Sequence, residues 1–474
     1  MKTMKYDLCV IGAGSGGLSV AAGASQMGAN VVLIEKNKMG GDCLNYGCVP
    51  SKALLAAAKH AKCLRASNQF GINAENITID FKKVHQHIHD VIKTIAPNDS
   101  AERFEKMGVK VIKGIGRFVD AKTLEVNNEL IRARRFVIAT GASAAIPPID
   151  GLDKINYLTN ETIFDLTELP KDLIIIGGGP IACEMAQAHC LLGANVSVIV
   201  RSKILSKDEP ACVDVVRKQF IKDGINLFEE TAIQNITSEK NNITINFKHQ
   251  NKNISINGSH ILVATGRKTN IEELNLENAN IKYSKKGVIV DKKLRTTNKK
   301  IFTVGDAIGS YQFTHIANYH AGIVIRNTLF HLPAKVDYSA IPWCTYTEPE
   351  LAHAGLTEEQ ARKQHNNIKI LTKSFAANDR AQTGKNTGGL IKVITTKKGY
   401  VLGVSIVGHN AGELIMPWSL IITKKMKMSS ITDLIVPYPT ISEISKSAAS
   451  EFFTPLLYSK RMKKLVRFLQ IFNW

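Results

Sequence analysis

No apolar run in this chain is long enough to span a bilayer, so a transmembrane anchor is not expected. The first apolar strand starts near Lys5, which leaves no room ahead of it for a signal peptide. Cysteine is scarce. Eight residues in 474 do not make a disulfide scaffold, and a reducing, cytoplasmic setting fits that usage. Zinc-finger spacing, a nucleic-acid module and the aromatic pattern of RNA-binding sheets are all missing, so no nucleic-acid partner is expected. Acidic residues are outnumbered: 41 Asp and Glu face 61 Lys and Arg, a net charge of +20. Such a field favours anions such as dinucleotides or acidic lipid. The excess is spread through Lys-rich loops, so a generally basic solvated surface explains it equally well. The remaining composition is that of a globular protein, 44% hydrophobic, with length for about two to four domains.

Within it lies an internal repeat. Ile11-Gly12-Ala13-Gly14-Ser15-Gly16-Gly17 opens one unit, and Ile176-Gly177-Gly178-Gly179-Pro180-Ile181-Ala182 opens another. Each follows a short apolar strand and precedes an Ala-rich helix. Each helix closes on Gly-Ala-Asn, at 28–30 and 193–195, before a second apolar strand. This is a strand, Gly-turn, helix, strand unit, whose glycines let the backbone approach a pyrophosphate at a helix N-terminus. One such motif is weak; two in equivalent contexts are strong. The second strand of the first copy ends in Glu35, placed to accept a hydrogen bond from a ribose hydroxyl. The equivalent position of the second copy is Val200, followed by Arg201, Ser202 and Lys203. No carboxylate there repels a 2′-phosphate and cations can hold one, so NADPH is expected over NADH. Apolar strands ending in Ala-Thr-Gly at 139–141 and 264–266 (Thr140, Gly141 and Gly266) close the two units. A strand ending in Gly305-Asp306 offers an acid to a polyol chain.

Between these marks stands Gly40-Gly41-Asp42-Cys43-Leu44-Asn45-Tyr46-Gly47-Cys48-Val49-Pro50-Ser51-Lys52. Two cysteines sit just before a helix expected over 52–65, with Ser51 as a candidate N-cap. A helix N-terminus favours a thiolate. Zinc pairs are usually closer together and come with a second ligand pair, which is not found, so a redox dithiol beside a nucleotide site is the preferred reading. In His85-Gln86-His87-Ile88-His89 only His85 and His89 share a helical face, and no metal site is assigned.

From about residue 5 to 453 the chain resembles the class I pyridine nucleotide–disulfide oxidoreductases, the family of glutathione reductase, dihydrolipoyl dehydrogenase and mercuric reductase. The resemblance implies an α/β protein with two Rossmann-like dinucleotide-binding domains and a C-terminal α+β dimerisation domain. It places FAD on residues 1–145 and 276–335, NAD(P)H on 146–275, the interface of a homodimer on 336–453, and a basic tail on 454–474. Gly12, Gly14, Gly17, Glu35, Lys52, Gly116 and Asp306 match FAD positions; Gly177, Gly179, Ala182, Arg201 and Gly266 match nucleotide positions. Glu184 matches the acid that pairs with Lys52 near the flavin. By the same analogy NADPH reduces FAD, which reduces a Cys43–Cys48 disulfide. Cys48 is then the charge-transfer thiolate and Cys43 the interchange thiol.

The disulfide-reducing members carry His-Pro-Thr-x-x-Glu, whose His–Glu pair handles protons. Here the run is Tyr438-Pro439-Thr440-Ile441-Ser442-Glu443. A tyrosine of pKa ~10 is a poor base near neutrality, yet it can donate a proton; packing at the interface is the alternative role. Mercuric reductase also places tyrosine there, and Ala-Gly-Glu-Leu-Ile at 411–415 and Arg201-Ser202 look like that branch. The C-terminal vicinal cysteines of that branch are missing, as is its separate N-terminal metal-binding domain; the last cysteine is Cys344. Phe375-Ala376-Ala377-Asn378-Asp379-Arg380-Ala381 instead resembles dihydrolipoyl dehydrogenase. The expectation is a mercuric-reductase-like enzyme passing electrons to a disulfide, a metal ion or another small acceptor. The alternatives are a dihydrolipoyl dehydrogenase with Tyr replacing His, a membrane-surface NAD(P)H:quinone reductase, and a non-catalytic flavin redox sensor. The tail offers the amphipathic pattern Met462, Leu465, Val466, Leu469 and Phe472 against Lys460, Arg461, Lys463, Lys464 and Arg467. Residues 456–474 therefore suit peripheral contact with an anionic membrane from the cytoplasmic side, docking on the protein's own dimer being the alternative.

Overall fold

Apolar runs buried on both faces make parallel strands, and the buried ends of Thr3–Ile11 and Asp172–Ile176 seed two dinucleotide-type sheets. The structure is a computed structural model describing residues 3–239 and 242–473; Trp474, counted with the tail, lies outside the described residues. The chain divides into two compact units, residues 1–201 with 228–336, and 202–227 with 337–474.

In the first unit, strand Thr3–Ile11 lies parallel to Val31–Glu35 on one side and Glu129–Ile138 on the other. Val109–Lys113 extends the sheet beyond Val31–Glu35. The far edge of Glu129–Ile138 is shared. Its start pairs antiparallel with Thr123–Val126, and its end pairs parallel with Ile301–Thr303. Helix Ser15–Gln26 covers one face and packs beside helix Thr314–Thr328. The second copy repeats the plan: Asp172–Ile176 lies between Asn195–Ile199 and His260–Val263, all parallel, with helix Pro180–Leu192 following the glycine turn. An antiparallel meander of Ala232–Glu239, Asn242–His249 and Lys252–Gly258 supplies the rest. Within this unit the expected helix after the cysteines starts earlier than the residue pattern suggested. It runs Cys48–Arg65 with Gly47 as N-cap, and a separate short helix spans Gly41–Asn45. Ser51 is therefore not the cap. Its hydroxyl donates back to the Cys48 carbonyl at 3.2 Å, which a serine inside the first turn can do.

The second unit is built on an antiparallel sheet in the order Pro342–Thr345, Glu350–Gly355, Val401–Gly408, Leu390–Thr396, Ile368–Ser374. Helix Pro210–Asp223 belongs to this unit. A buried ion cluster ties it down: Lys392 Nζ lies 2.5 Å from Glu209 and 2.6 Å from Glu358. Trp343 Nε1 donates to Asp208 at 2.6 Å. A buried lysine survives because it is paired twice. No helix among the described residues is long and apolar enough to cross a membrane.

Candidate active site

The glycine turns explain how each nucleotide unit opens. Gly12 sits at φ +105°, and a Cβ there would lie 2.4 Å from the Ala139 carbonyl oxygen. Gly177 repeats this at φ +134°, 2.2 Å from the Ala264 oxygen. Only glycine meets both demands, conformation and clearance. The next glycines differ in kind. Around Gly179 the space is open, and around Gly14 the only near atom is the Gly41 Cα at 3.9 Å. Backbone here is free to meet a ligand. Helices Ser15–Gln26 and Pro180–Leu192 begin without a side-chain cap, so their first N–H groups are available to a phosphate.

A backbone crossing joins the first turn to the cysteines. Gly40 N–H donates to the Ala13 carbonyl at 2.9 Å, and a Cβ on Gly41 would lie 2.6 Å from Gly14 Cα. The crossing segment runs directly into the helix that carries Cys43, and Cys48 opens the next one. Both are thiols. Cys48 Sγ lies 3.4 Å from Thr314 Oγ1, at the N-terminus of helix Thr314–Thr328. The Cys43 thiol hydrogen bond holds the Cys48 thiol down at about 6 against the cost of burial, with the Thr314 hydroxyl and the Lys52 ammonium assisting. Cys43 is pushed up, first by its hydrogen bond to Cys48 and then by burial. The two sulfurs are thus unlike: one a ready thiolate, the other a held thiol.

Around them stands a charged frame. Lys52 Nζ pairs with Glu184 Oε2 at 2.8 Å, the glutamate being almost wholly buried. Arg267 reaches Asp42 at 3.2 Å and Asp306 at 3.6 Å, and also donates to the Ala142 carbonyl. Burial raises the Asp306 carboxyl to about 6, with Arg267 opposing the shift. Asn160 Nδ2 fixes the other oxygen of Asp42 at 2.9 Å. Cys43, Cys48, Lys52, Glu184 and Asp306 therefore fall in one neighbourhood. Sequence reasoning had missed Thr314, Arg267, Asp42 and Asn160 as members. Arg267 carried a signal, since it directly follows Ala-Thr-Gly; Thr314 had none.

Glu35 Oε2 accepts from Ala13 N at 2.6 Å and Oε1 from Asn37 N at 2.7 Å, bracing the turn below Gly12. Thr140 Oγ1 is buried without a hydrogen-bond partner among the described residues. Gly116, before strand Arg117–Asp120, faces the Leu124 side chain, and Gly141 and Gly266 sit at φ +70° and +144°. Ala182 is fully buried in its helix. Arg201 and Lys203 are exposed. A dinucleotide bearing a polyol chain suits the first copy: an open glycine backbone, uncapped helix N–H groups, an orphaned buried hydroxyl and a partly buried acid are the donors and acceptors it needs.

Tyr438 and Glu443 lie in the second unit. The Tyr438 hydroxyl donates to Asp379 Oδ2 at 2.9 Å, whereas Glu443 accepts from Thr440 N at 3.4 Å. The Asp379 carboxylate raises the Tyr438 phenol above its ordinary range. This tyrosine keeps its proton. Asp379 was not singled out from the residue pattern, although the 375–381 run containing it was. His85 and His89 do share a face, their rings 4.2 Å apart, and no cluster of three or more His, Cys, Asp or Glu placed to hold a metal ion occurs among the described residues.

Comparison with known proteins agrees with this layout. Residues 6–321 match the family described as pyridine nucleotide-disulphide oxidoreductase, and 341–449 match its dimerisation domain. The chain is 34% identical to a mercuric reductase of Staphylococcus aureus over 94% of its own length and 82% of that protein's. It is 33% identical to a dihydrolipoyl dehydrogenase of Geobacillus stearothermophilus, covering 94% and 96%. Among solved structures it resembles the HOCl-induced flavoprotein disulfide reductase RclA of Escherichia coli, determined as a Cu(II) complex. That likeness has a TM-score of 0.85 at 26% identity, over 94% of this chain and 99% of that one.

Proposed function

Because the chain belongs to the pyridine nucleotide-disulphide oxidoreductase family, we propose that it carries electrons from NADPH, through FAD, to the Cys43–Cys48 pair and on to a small thiol-reactive acceptor. FAD, when bound, supplies the two-electron chemistry that links a hydride donor to a disulfide. We assign its binding to residues 1–145 with 276–335, nucleotide binding to 146–275, and dimer contacts to 336–453; the dimerisation-domain match supports a homodimer.

The observation that carries this reading is geometric: the chain crosses the first glycine turn at Gly40 and Gly41 and runs straight into the helices that hold Cys43 and Cys48, with Cys48 Sγ 3.4 Å from Thr314 Oγ1 and Lys52 one turn on. Oxidation of this thiolate–thiol pair to a disulfide releases two electrons to the acceptor and one proton to solvent. Lys52, paired with Glu184, places a cation that favours the Cys48 thiolate. Tyr438, its hydroxyl held by Asp379 and its phenol raised, is a poor base, which disfavours a dithiol substrate that must be deprotonated and favours an electron acceptor, a small disulfide or a metal ion such as Cu(II). The mercuric reductase relative and the Cu(II) complex of the similar disulfide reductase support the same choice. Preference for NADPH is supported by Val200 standing where the first copy has Glu35, with exposed Arg201 following.

The test is an anaerobic acceptor screen of the flavin-loaded wild type and Cys43→Ser. The proposal expects NADPH-driven reduction of Cu(II) or of a small disulfide that disappears in the variant. It also expects the wild type to take up one more electron pair than Cys43→Ser. Quinone reduction at undiminished rate in Cys43→Ser, NAD+-coupled dihydrolipoamide oxidation, or turnover no faster than free flavin with every acceptor would each replace it with one of the alternative readings.

A further inference from the structure

The dimerisation-domain match ends at residue 449, and residues 450–474 lie beyond it. Helix Lys460–Gln470 is started by its own signal: Ser459 Oγ accepts from Met462 N at 3.2 Å. Eleven residues make a marginal helix in water, so it needs a face to bury. Its own unit provides none, since residues 463–472 are all exposed. Leu465, Leu469 and Phe472 line one side with Met462 and Val466, and Leu465 is 47% and Phe472 70% exposed. Phe468 and Phe472 meet edge to face at 5.2 Å, widening the apolar surface. Lys460, Lys463, Lys464 and Arg467 lie on the opposite side with Arg461 at the border, and the helix contains no acid.

We propose that residues 456–472 dock the enzyme on an anionic lipid surface, the helix lying flat with its apolar side among the acyl chains. Charge decides between occupants. A second copy of this chain brings a further +20 against five cations, whereas anionic headgroups complement them. The exposed Leu456, Leu457 and Tyr458 in the preceding turn continue the apolar surface, as an interfacial anchor requires. The inference is independent of the redox reading and does not fail with it.

The test is co-sedimentation of the full-length, flavin-loaded protein with vesicles of phosphatidylglycerol and phosphatidylcholine, and with phosphatidylcholine alone. Wild type is expected on the mixed vesicles at low salt, at least about tenfold above the neutral ones, and to leave them as salt rises. Leu465→Glu/Leu469→Glu should lose at least about tenfold of that binding. Lys463→Glu/Lys464→Glu should lose a comparable amount. Both pairs sit on an exposed helix, so flavin content and turnover should not change. Wild type that ignores the mixed vesicles, or binding equal in all three proteins, would overturn the proposal. So would conversion of a dimer to a monomer by Leu465→Glu/Leu469→Glu with no vesicle binding by wild type, which would make this face a contact between copies.

Discussion

The two nucleotide units start from one plan and diverge at three places, and each divergence has a physical reading. Their first glycines are interchangeable, both pressed against a carbonyl oxygen of the strand that closes the unit. Their third positions are not. A Cβ on Gly17 would lie 1.8 Å from the Gly12 carbonyl oxygen, whereas Ala182 already carries one in a fully buried site. The first helix therefore sits tighter on its turn than the second. The second strands end differently, in Glu35 bracing the turn through Ala13 and Asn37, and in buried Val200 leading to exposed Arg201. The segments after those strands differ most. In the first copy the chain crosses its own glycine turn through Gly40 and Gly41 and delivers the dithiol; in the second it passes into a run of surface cations. The lesson is that one copy carries its turn onto a dithiol, and the other leads from a buried valine to exposed cations.

The largest effects should come from exchanging third positions. Gly17→Ala cannot be accommodated without moving backbone, so a loss of about 3 kcal/mol or more and a flavin-poor protein are expected. Ala182→Gly should cost only about 1 kcal/mol, the usual penalty for glycine in a helix. Thermal unfolding and flavin absorbance read both, and equal losses would erase the distinction. Next in size is Glu35→Gln, which keeps the shape but sets an amide NH2 against one of the two backbone N–H donors, so that one hydrogen bond is lost and the other loses its charge. A loss of about 2 kcal/mol in flavin affinity is expected, with KM for the nicotinamide nucleotide unmoved. Smaller again, Arg201→Ala should lower kcat/KM for NADPH about tenfold, roughly 1.4 kcal/mol, and leave NADH nearly unaffected. Equal losses with both nucleotides would make Arg201 an ordinary surface cation.

Local spacing made much of this molecule readable. The glycine turns, the Gly-Ala-Asn helix ends, the Ala-Thr-Gly closures and the dithiol announce themselves because their chemistry needs particular residues at fixed offsets. The partners that tune them do not. Thr314 stands 266 positions from Cys48, and Arg267 and Asp42 are brought together only by strand pairing and the crossing at Gly41. Asp379 takes the Tyr438 hydroxyl across 59 residues, where the motif alone pointed at Glu443. Helix onset was misplaced for a related reason. Pro50-Ser51 looks like a start, but the chain is already helical at Cys48 because Gly47 makes the turn. That displacement matters chemically: Cys48 heads the helix instead of preceding it.

The finest comparison concerns that sulfur, which only the first unit carries. Its thiol is held at about 6, below the ~8.5 of an ordinary cysteine. The reduced fold therefore owes stability to the Cys48 thiolate. That contribution is present in full above the unfolded value and is lost as pH falls through about 6. Thr314→Val removes one of the groups favouring the thiolate while the Cys43 hydrogen bond and Lys52 remain. The midpoint should rise by about one unit, equivalent to roughly 1.4 kcal/mol. It can be followed as the pH dependence of Cys48 alkylation in the reduced enzyme, located by peptide mass. Arg201→Ala, just after the second strand of the other glycine-turn copy, should leave that midpoint where it is. If Thr314→Val also leaves it in place, the threonine merely fills space at the helix start, and the low thiol rests on its neighbouring sulfur and the lysine alone.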